Sequence, residues 1–316
     1  MADDRRWLMA KVAGMYYHDG MTQEVIAKQL NFSRSGISRL LKEAQAEGVV
    51  EINIRYPWQQ ITQLERALVD QFGLNDAQVL QRGDASYSEM LTGLGMLAAR
   101  YMEQELEPNM IVAVGSGYAV YESVRALHKN QHLDVTVVQV MGVTGTSNPN
   151  IDGVELVRLM SNRLGGRYMY LQSPLLVRNA RVRDNLLSEP AIQQVLALAH
   201  QAHIALIGVG TVFPNDSSLL RTGFFTPQML EEVLKDGAIG ETCGQVFNAN
   251  GEAVTSGVGG QTVTISLSEL KNIPNVIAVA AGDNKVTAIH GLLQGKLANV
   301  LVTDDQTATK LLDMHP

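Results

Sequence analysis

The chain has 316 residues, of which 46% are hydrophobic and 18% charged, with a formal net charge of −7. That composition is ordinary for a globular protein, and the length suits either two domains of about 150 residues or one large domain carrying a small module. No uncharged apolar run reaches about 18 residues, Met1–Arg6 lacks the apolar core of a signal peptide, and the single cysteine, Cys243, excludes an internal disulfide and leaves a thiolate metal cluster unsupported. Together these predict a cytoplasmic protein with no membrane span. The charge is unevenly spread: residues 1–56 hold 8 Lys and Arg against 7 Asp and Glu, a balance of +1, and the remainder carries −8. Phosphate contact depends on local basic residues, so an acidic body does not exclude a small DNA-reading face.

The first sixty residues carry such a face. Leu8, Val12, Met15 and Tyr16 share one helical side, and Gly20 supplies a stop. Thr22 can cap a second helix whose Ile26, Ala27 and Leu30 face inward. The turn Asn31-Phe32-Ser33 follows, with Ser33 as N-cap of a third helix that Gly48 ends. In that helix Ile37, Leu40, Leu41 and Ala44 form an apolar stripe, opposed by Ser35, Ser38, Arg39 and Lys42, with Arg34 in the first turn. Two short helices, a three-residue turn and a basic, hydroxyl-rich third helix describe a helix-turn-helix. The candidate DNA contacts are Gln23, Ser33, Arg34, Ser35, Ser38, Arg39 and Lys42, with the two arginines suited to guanine or phosphate. A solvated surface on a three-helix bundle is the plainer alternative. Gly36 inside the helix is explained either by approach to DNA or by crowding against Ala27.

Val49–Ile54 alternates as a short strand, a possible wing, and Tyr56-Pro57 reads as a hinge. Trp58, Ile61, Leu64, Leu68 and Phe72 then form an apolar stripe on a helix closed by Gly73. Such a stripe packs either on its own body or on a second subunit; the second is preferred, because helix-turn-helix proteins read paired half-sites. The expected organisation is a DNA-binding domain over 1–56, a linking and oligomerising helix over 57–73, and an effector domain over 74–316.

In the effector domain, apolar strands (Met110–Val114, Val135–Val140, Tyr168–Leu171, Ile204–Gly208, Val276–Ala280, Val300–Thr303) alternate with helices (Met90–Leu106, Val154–Leu164, Ile192–Ala202, Lys285–Leu293). Alternation of this kind predicts an α/β fold with a mostly parallel sheet, whose ligands sit at the carboxyl ends of strands. Those ends carry glycines: Gly115-Ser116-Gly117, Gly208-Val209-Gly210 and Gly282-Asp283-Asn284-Lys285. Gly115–Gly117 is not a dinucleotide fingerprint, since its third glycine would fall at Val120 and the acidic residue after the next strand is missing. Backbone N–H groups there suit a single phosphate, with Lys285 adding a positive charge. The alternatives are tight turns and a solvated lysine. Thr303-Asp304 reads as a helix N-cap. The seven histidines show no metal spacing and no nucleophile elbow is present, so neither cofactor nor enzyme activity is expected.

With these residues in view, the chain resembles the SorC family of sugar-responsive bacterial regulators over nearly its whole length. The resemblance lies in Tyr16-Tyr17, Met21-Thr22-Gln23, Ile26-Ala27 and Ser38-Arg39-Leu40-Leu41 at one end, and Gly282–Lys285, Ala288-Ile289 and Asn299–Asp304 at the other. Gly208–Gly210 and Gly237–Glu241 lie between them. It implies a winged-type helix-turn-helix joined to an effector domain resembling sugar-phosphate isomerases and deaminases, acting as a homodimer or homotetramer on double-stranded operator DNA, with a phosphorylated sugar as effector. It also implies that Gly115, Ser116, Gly117 and Lys285 match the phosphate pocket, that Glu241 faces sugar hydroxyls, and that Asp152 falls near a polar ligand contact. Met141 stands where some members carry an arginine or a Schiff-base lysine, so an imine is not expected here. Ser173–Glu189, with Arg178, Arg181 and Arg183, reads as a mobile flap near the pocket, each arginine more readily solvated than ligand-bound. A sugar-phosphate isomerase or deaminase with an accessory DNA-binding domain is the competing function.

Overall fold

A computed structural model of the chain describes residues 2–50, 59–130, 133–145 and 148–314. It divides into two compact units, Met1–Pro57 and Trp58–Pro316.

The first unit holds α1 (Ala2–Ala13), a π-helical turn (Gly14–His18), α2 (Gln23–Leu30) and α3 (Arg34–Ala46). Its caps follow from side-chain chemistry: the Thr22 hydroxyl accepts from the Val25 N–H, and Ser33 Oγ accepts from the Gly36 N–H at 3.0 Å. Asn31 ends α2 in the left-handed region (φ 58°) and turns the chain into α3. Ile26, Ala27, Ile37, Leu40, Leu41 and Ala44 meet Met9, Val12 and Met15 in a separate small core, where Leu30 is only half-buried. A Cβ on Gly36 would lie 3.2 Å from Ser33 Oγ, so the glycine makes room for the cap of its own helix and is not set against Ala27. Val49 and Val50 both donate to the Ala44 carbonyl and pack on this core; the rest of the expected wing and the Tyr56-Pro57 hinge lie outside the described residues. Because only glycine and, less readily, asparagine tolerate the left-handed region, Asn31→Ala is expected to cost about 1–2 kcal/mol of this unit's stability and Asn31→Gly to be tolerated; equal melting of the two variants would contradict that.

The second unit runs α4 (Thr62–Phe72), β1 (Asp76–Leu80), α5 (Tyr87–Glu105), β2 (Ile111–Val114), α6 (Tyr118–Ala126), β3 (Thr136–Gln139), α7 (Gly153–Leu164) and β4 (Arg167–Met169). Then come α8 (Ala180–Leu187), α9 (Pro190–His200), β5 (Ile204–Gly208), β6 (Gly210–Thr211), α10 (Ser218–Arg221), α11 (Pro227–Lys235), β7 (Gly240–Thr242) and β8 (Gln245–Phe247). The chain closes with α12 (Leu267–Leu270), β9 (Asn275–Val279), a 3-10 turn (Asp283–Lys285), α13 (Val286–Gln294), β10 (Val300–Asp304) and α14 (Asp305–Asp313). Seven strands form one sheet in the order β1-β10-β9-β5-β2-β3-β4, with every pairing parallel. Alternate residues of each strand feed opposite faces. Val138, Val140, Ala205, Ile207, Ala278 and Leu301 pack with Leu68, Ile192, Ile289 and Leu311 on one side. Val112, Val114, Val137, Leu206, Ile277 and Val302 pack with Leu94, Val120, Leu156 and Met160 on the other.

In the apolar stripe of α4, Leu68 is fully buried in the sheet's core, and Ile61, Leu64 and Phe72 are partly buried against the same core; Trp58 lies outside the described residues. The segment after β4 is in part packed on the body. Leu175 is buried, the Leu175 N–H donates to Val143 O at 2.9 Å, and α8 follows. Arg178 and Arg181 are exposed, and Arg183 pairs with Asp184. Among the described residues no helix is long and apolar enough to cross a membrane.

Candidate effector site and DNA-reading helix

The chain runs from β2 to β3 and β4 on one side, then returns to place β5 on the other side of β2. That reversal is a topological switch point, where loops from neighbouring strands part and leave a crevice beyond their carboxyl ends. The Gly115–Gly117 turn leaves β2 and Gly208–Gly210 leaves β5 there, side by side, with Val112 and Ile204 in register below. Lys285 follows β9, which adjoins β5. Glu241 arrives from the small antiparallel sheet β6-β7-β8, paired with Gly210. A methyl on Gly210 would overlap the Glu241 carboxylate, so glycine is required for that carboxylate to lie there. The hairpin behind it is stitched to the main sheet by the Thr242 hydroxyl donating to Gly208 O at 2.9 Å. Cys243 fills the space beneath Gly115, and burial pushes its thiol up to about 12.

Glu241 and Lys285 each shift toward the neutral form. Burial raises the Glu241 pKa, opposed by Lys285, by the Ser218 hydroxyl donating at 3.4 Å and by the Gly244 N–H. Burial lowers that of Lys285; Glu241 opposes this, and the guanidinium of Arg221 adds to it. The exposed Arg221 guanidinium thus acts electrostatically on buried Lys285, with the Glu241 carboxylate opposing it. Arg221 also acts on the Tyr87 hydroxyl together with Arg82, and Arg82 leans on buried Asp304 at 3.5 Å. Sequence reading missed Arg221 because it sits in a four-residue helix, α10, with no motif around it. Asp304 does cap α14, accepting from the Thr307 N–H at 2.7 Å.

The glycine turn itself differs from expectation. The Gly115 N–H donates to Leu206 O at 2.9 Å and the Gly117 N–H to Ile151 O at 3.1 Å, so neither is available to a phosphate. At this turn α6 begins with Gly117 (φ 116°) as its N-cap, which has no side chain to cap the first-turn N–H groups. Ser116 Oγ reaches Met141 Sδ at 3.4 Å, which puts Met141, itself buried, against the same turn. Asp152 is 7% exposed. Its Oδ2 accepts from Thr144 Oγ1 and the Gly145 N–H, both at 3.2 Å, and its Oδ1 is buried without a hydrogen-bond partner.

On the first unit, Arg34, Ser35, Arg39 and Lys42 are exposed on α3, with Gln23 and Ser38 half-buried. Among the described residues none of the three cations is paired with a carboxylate. Ser33 Oγ is engaged as the cap and with Ser35 Oγ at 3.0 Å.

Comparison with known proteins accords with this architecture. The sugar-binding domain family matches residues 56–313. The chain belongs to the SorC family of sugar-binding transcriptional regulators. It is 32% identical to the deoxyribonucleoside regulator of Bacillus subtilis (strain 168), over 99% of each chain. It is 31% identical to the transcriptional regulator LsrR of Klebsiella pneumoniae, over 96% of this chain and 92% of that one. The crystal structure of the full-length sorbitol operon regulator SorC from Klebsiella pneumoniae superposes with a TM-score of 0.74 at 28% identity, covering 98% of this chain and 99% of that one. SorC-family membership makes this chain a transcriptional regulator with a sugar-binding domain.

Proposed function

We propose that this regulator binds double-stranded operator DNA through α3 and that a phosphorylated sugar controls its grip. What supports the effector class is that β2, β5 and β9 are neighbouring strands, so the uncapped start of α6 and Lys285 both follow their carboxyl ends, with Glu241 and Arg221 within electrostatic reach of Lys285. Cations and a helix N-terminus favour phosphate, and a buried carboxylate accepts hydrogen bonds from hydroxyls. In this reading Ser116 and the first turn of α6 face the phosphate, Gly115 and Gly117 shape the turn, and Glu241 and Asp152 select the sugar. Gln23, Ser33, Arg34, Ser35, Ser38, Arg39 and Lys42 form the DNA contacts, with Ser33 acting chiefly by fixing the start of α3. The regulator works in the cytoplasm of a bacterial cell as a homodimer or homotetramer, since two copies are needed to occupy paired half-sites. It requires no cofactor.

A second reading rests on one observation. Glu241 and Lys285, perturbed in opposite directions inside a crevice, are the kind of pair that acid–base catalysis uses. One screen separates the two. The full chain is heated with ribose 5-phosphate, fructose 6-phosphate, glucose 6-phosphate and their unphosphorylated parents, and the sugars are analysed afterwards. A melting shift for a phosphorylated sugar, absent for its parent and without chemical change, is expected. Equal shifts for phosphate and parent overturn the effector class, and turnover establishes the enzyme.

A further inference from the structure

We propose that Gln139 and Asp152 together hold one hydroxyl group of the effector sugar, Asp152 accepting its hydrogen and Gln139 donating to its oxygen. The inference rests on the sugar-phosphate reading above and deepens it: it adds Gln139 to the site and names the chemistry that the pair recognises.

Both residues border the crevice. Gln139 ends β3 in parallel register with Val114, the last residue of β2, so the Gly115–Gly117 turn starts beside it. Asp152 stands at the head of α7, and the Gly117 N–H donating to Ile151 O at 3.1 Å ties that head to the same turn. Gly153 brings the two side chains together. It follows Asp152 in the chain, and a Cβ there would overlap the Gln139 amide nitrogen, so glycine is required for the amide to reach the head of α7.

Each side chain has one polar atom committed and one unmet. Gln139 is fully buried, and its Oε1 accepts from the Leu171 N–H at 3.3 Å. That N–H can only donate, so it fixes which end of the amide is oxygen and turns the nitrogen toward Gly153. Asp152, 7% exposed, uses Oδ2 to accept from Thr144 Oγ1 and the Gly145 N–H, both at 3.2 Å. Among the described residues Gln139 Nε2 and Asp152 Oδ1 are buried with no hydrogen-bond partner.

Buried polar atoms are hydrogen-bonded in nearly all folded proteins, so two unmet ones at neighbouring positions point to a group from outside the chain. The two are of opposite kind: Nε2 offers a hydrogen and Oδ1 accepts one. A hydroxyl satisfies both at once, since it donates one hydrogen and keeps lone pairs to accept another. A phosphate oxygen would meet the amide and be repelled by the carboxylate. An ammonium would meet the carboxylate alone, and a methylene neither.

Calorimetric titration of the full chain tests this, with ribose 5-phosphate, fructose 6-phosphate and glucose 6-phosphate each set against its monodeoxy analogues. For a sugar phosphate that binds, loss of one particular hydroxyl is expected to weaken binding at least about tenfold, because both side chains then lack their partner. That penalty should vanish in Asp152→Asn. There the amide oxygen must take the Gly145 N–H, which leaves an NH2 group facing the Gln139 amide. Gln139→Met, similar in length but without the donor, should reduce the same penalty, and Glu241→Gln should retain it. Circular dichroism and melting of the effector-free variants establish that they are folded. A penalty that stays unchanged in folded Asp152→Asn and Gln139→Met overturns the inference. So does a wild-type series in which no single hydroxyl matters, the pair then holding water only. Sugar phosphates that bind no better than their unphosphorylated parents overturn the effector class itself, and this inference with it.

Discussion

Replacing Lys285 by alanine is expected to raise the concentration of phosphorylated sugar needed to alter DNA binding about ten- to a hundredfold, the cost of one charge-assisted contact of roughly 1.5–3 kcal/mol. Effector-free affinity for DNA should stay nearly unchanged, because Lys285 lies in the Trp58–Pro316 unit and the helix-turn-helix in the other. The crevice gives the reason. Lys285 is held there against burial and against the nearby Arg221 guanidinium, with Glu241 as its opposing charge. An anion arriving beside Lys285 favours its charged form and offsets the burial and the Arg221 repulsion that lower its pKa. Arg221→Ala should act in the same direction and more weakly, since Arg221 is itself exposed and its charge better screened. Glu241→Gln should instead blur discrimination between sugars, as the carboxylate repels phosphate but orders hydroxyls. A titration in which Lys285→Ala responds like wild type would remove the ammonium from the site.

The double replacement Arg34→Ala/Arg39→Ala is expected to lower affinity for a selected duplex by roughly 1–3 kcal/mol for each arginine that makes a bidentate base contact. Both side chains are exposed on α3, and neither has a carboxylate partner among the described residues, so their removal leaves the small core of Met9, Ile26, Ile37 and Leu40 intact. Melting of the variant should therefore match wild type. Lys42→Ala, further along the helix, is expected to act through phosphate, with a loss that is similar for all sequences and a shallower salt dependence. Unchanged affinity in a folded double variant would mean that α3 does not read DNA.

The helix-turn-helix was legible because several local rules agree on it. Thr22 and Ser33 cap as expected, Asn31 turns the chain, and the apolar stripes are buried. The large sheet was equally legible where strands are continuous apolar runs, as at Ile204–Gly208, whose bounds match the reading. Where strands are short the pattern fades. The β6-β7-β8 sheet has strands of two or three residues, too few for alternation to register, and β1 (Asp76–Leu80) mixes polar and apolar residues. The site shows the same division. The glycines and Lys285 could be placed after strand ends because strand ends are visible in sequence. Which N–H groups remain free there is decided by hydrogen bonds to the carbonyls of Leu206 and Ile151, residues 91 and 34 positions away from their donors, and no local pattern encodes that. The α4 stripe is the plainest limit. Amphipathicity states that a face will be buried, not against what; here Leu68 lies in the sheet's core, with Ile61, Leu64 and Phe72 partly buried beside it.

The most direct test of the central claim is fluorescence anisotropy of a labelled duplex, selected by the full chain from a random pool and titrated with the same sugar phosphates and their parents. A phosphorylated sugar should shift the affinity of the chain for DNA, in either direction, at concentrations where its unphosphorylated parent does nothing, because an effector regulates only by favouring one state over another. A duplex affinity that no phosphorylated sugar changes, or that parent and phosphate change alike, would contradict the account.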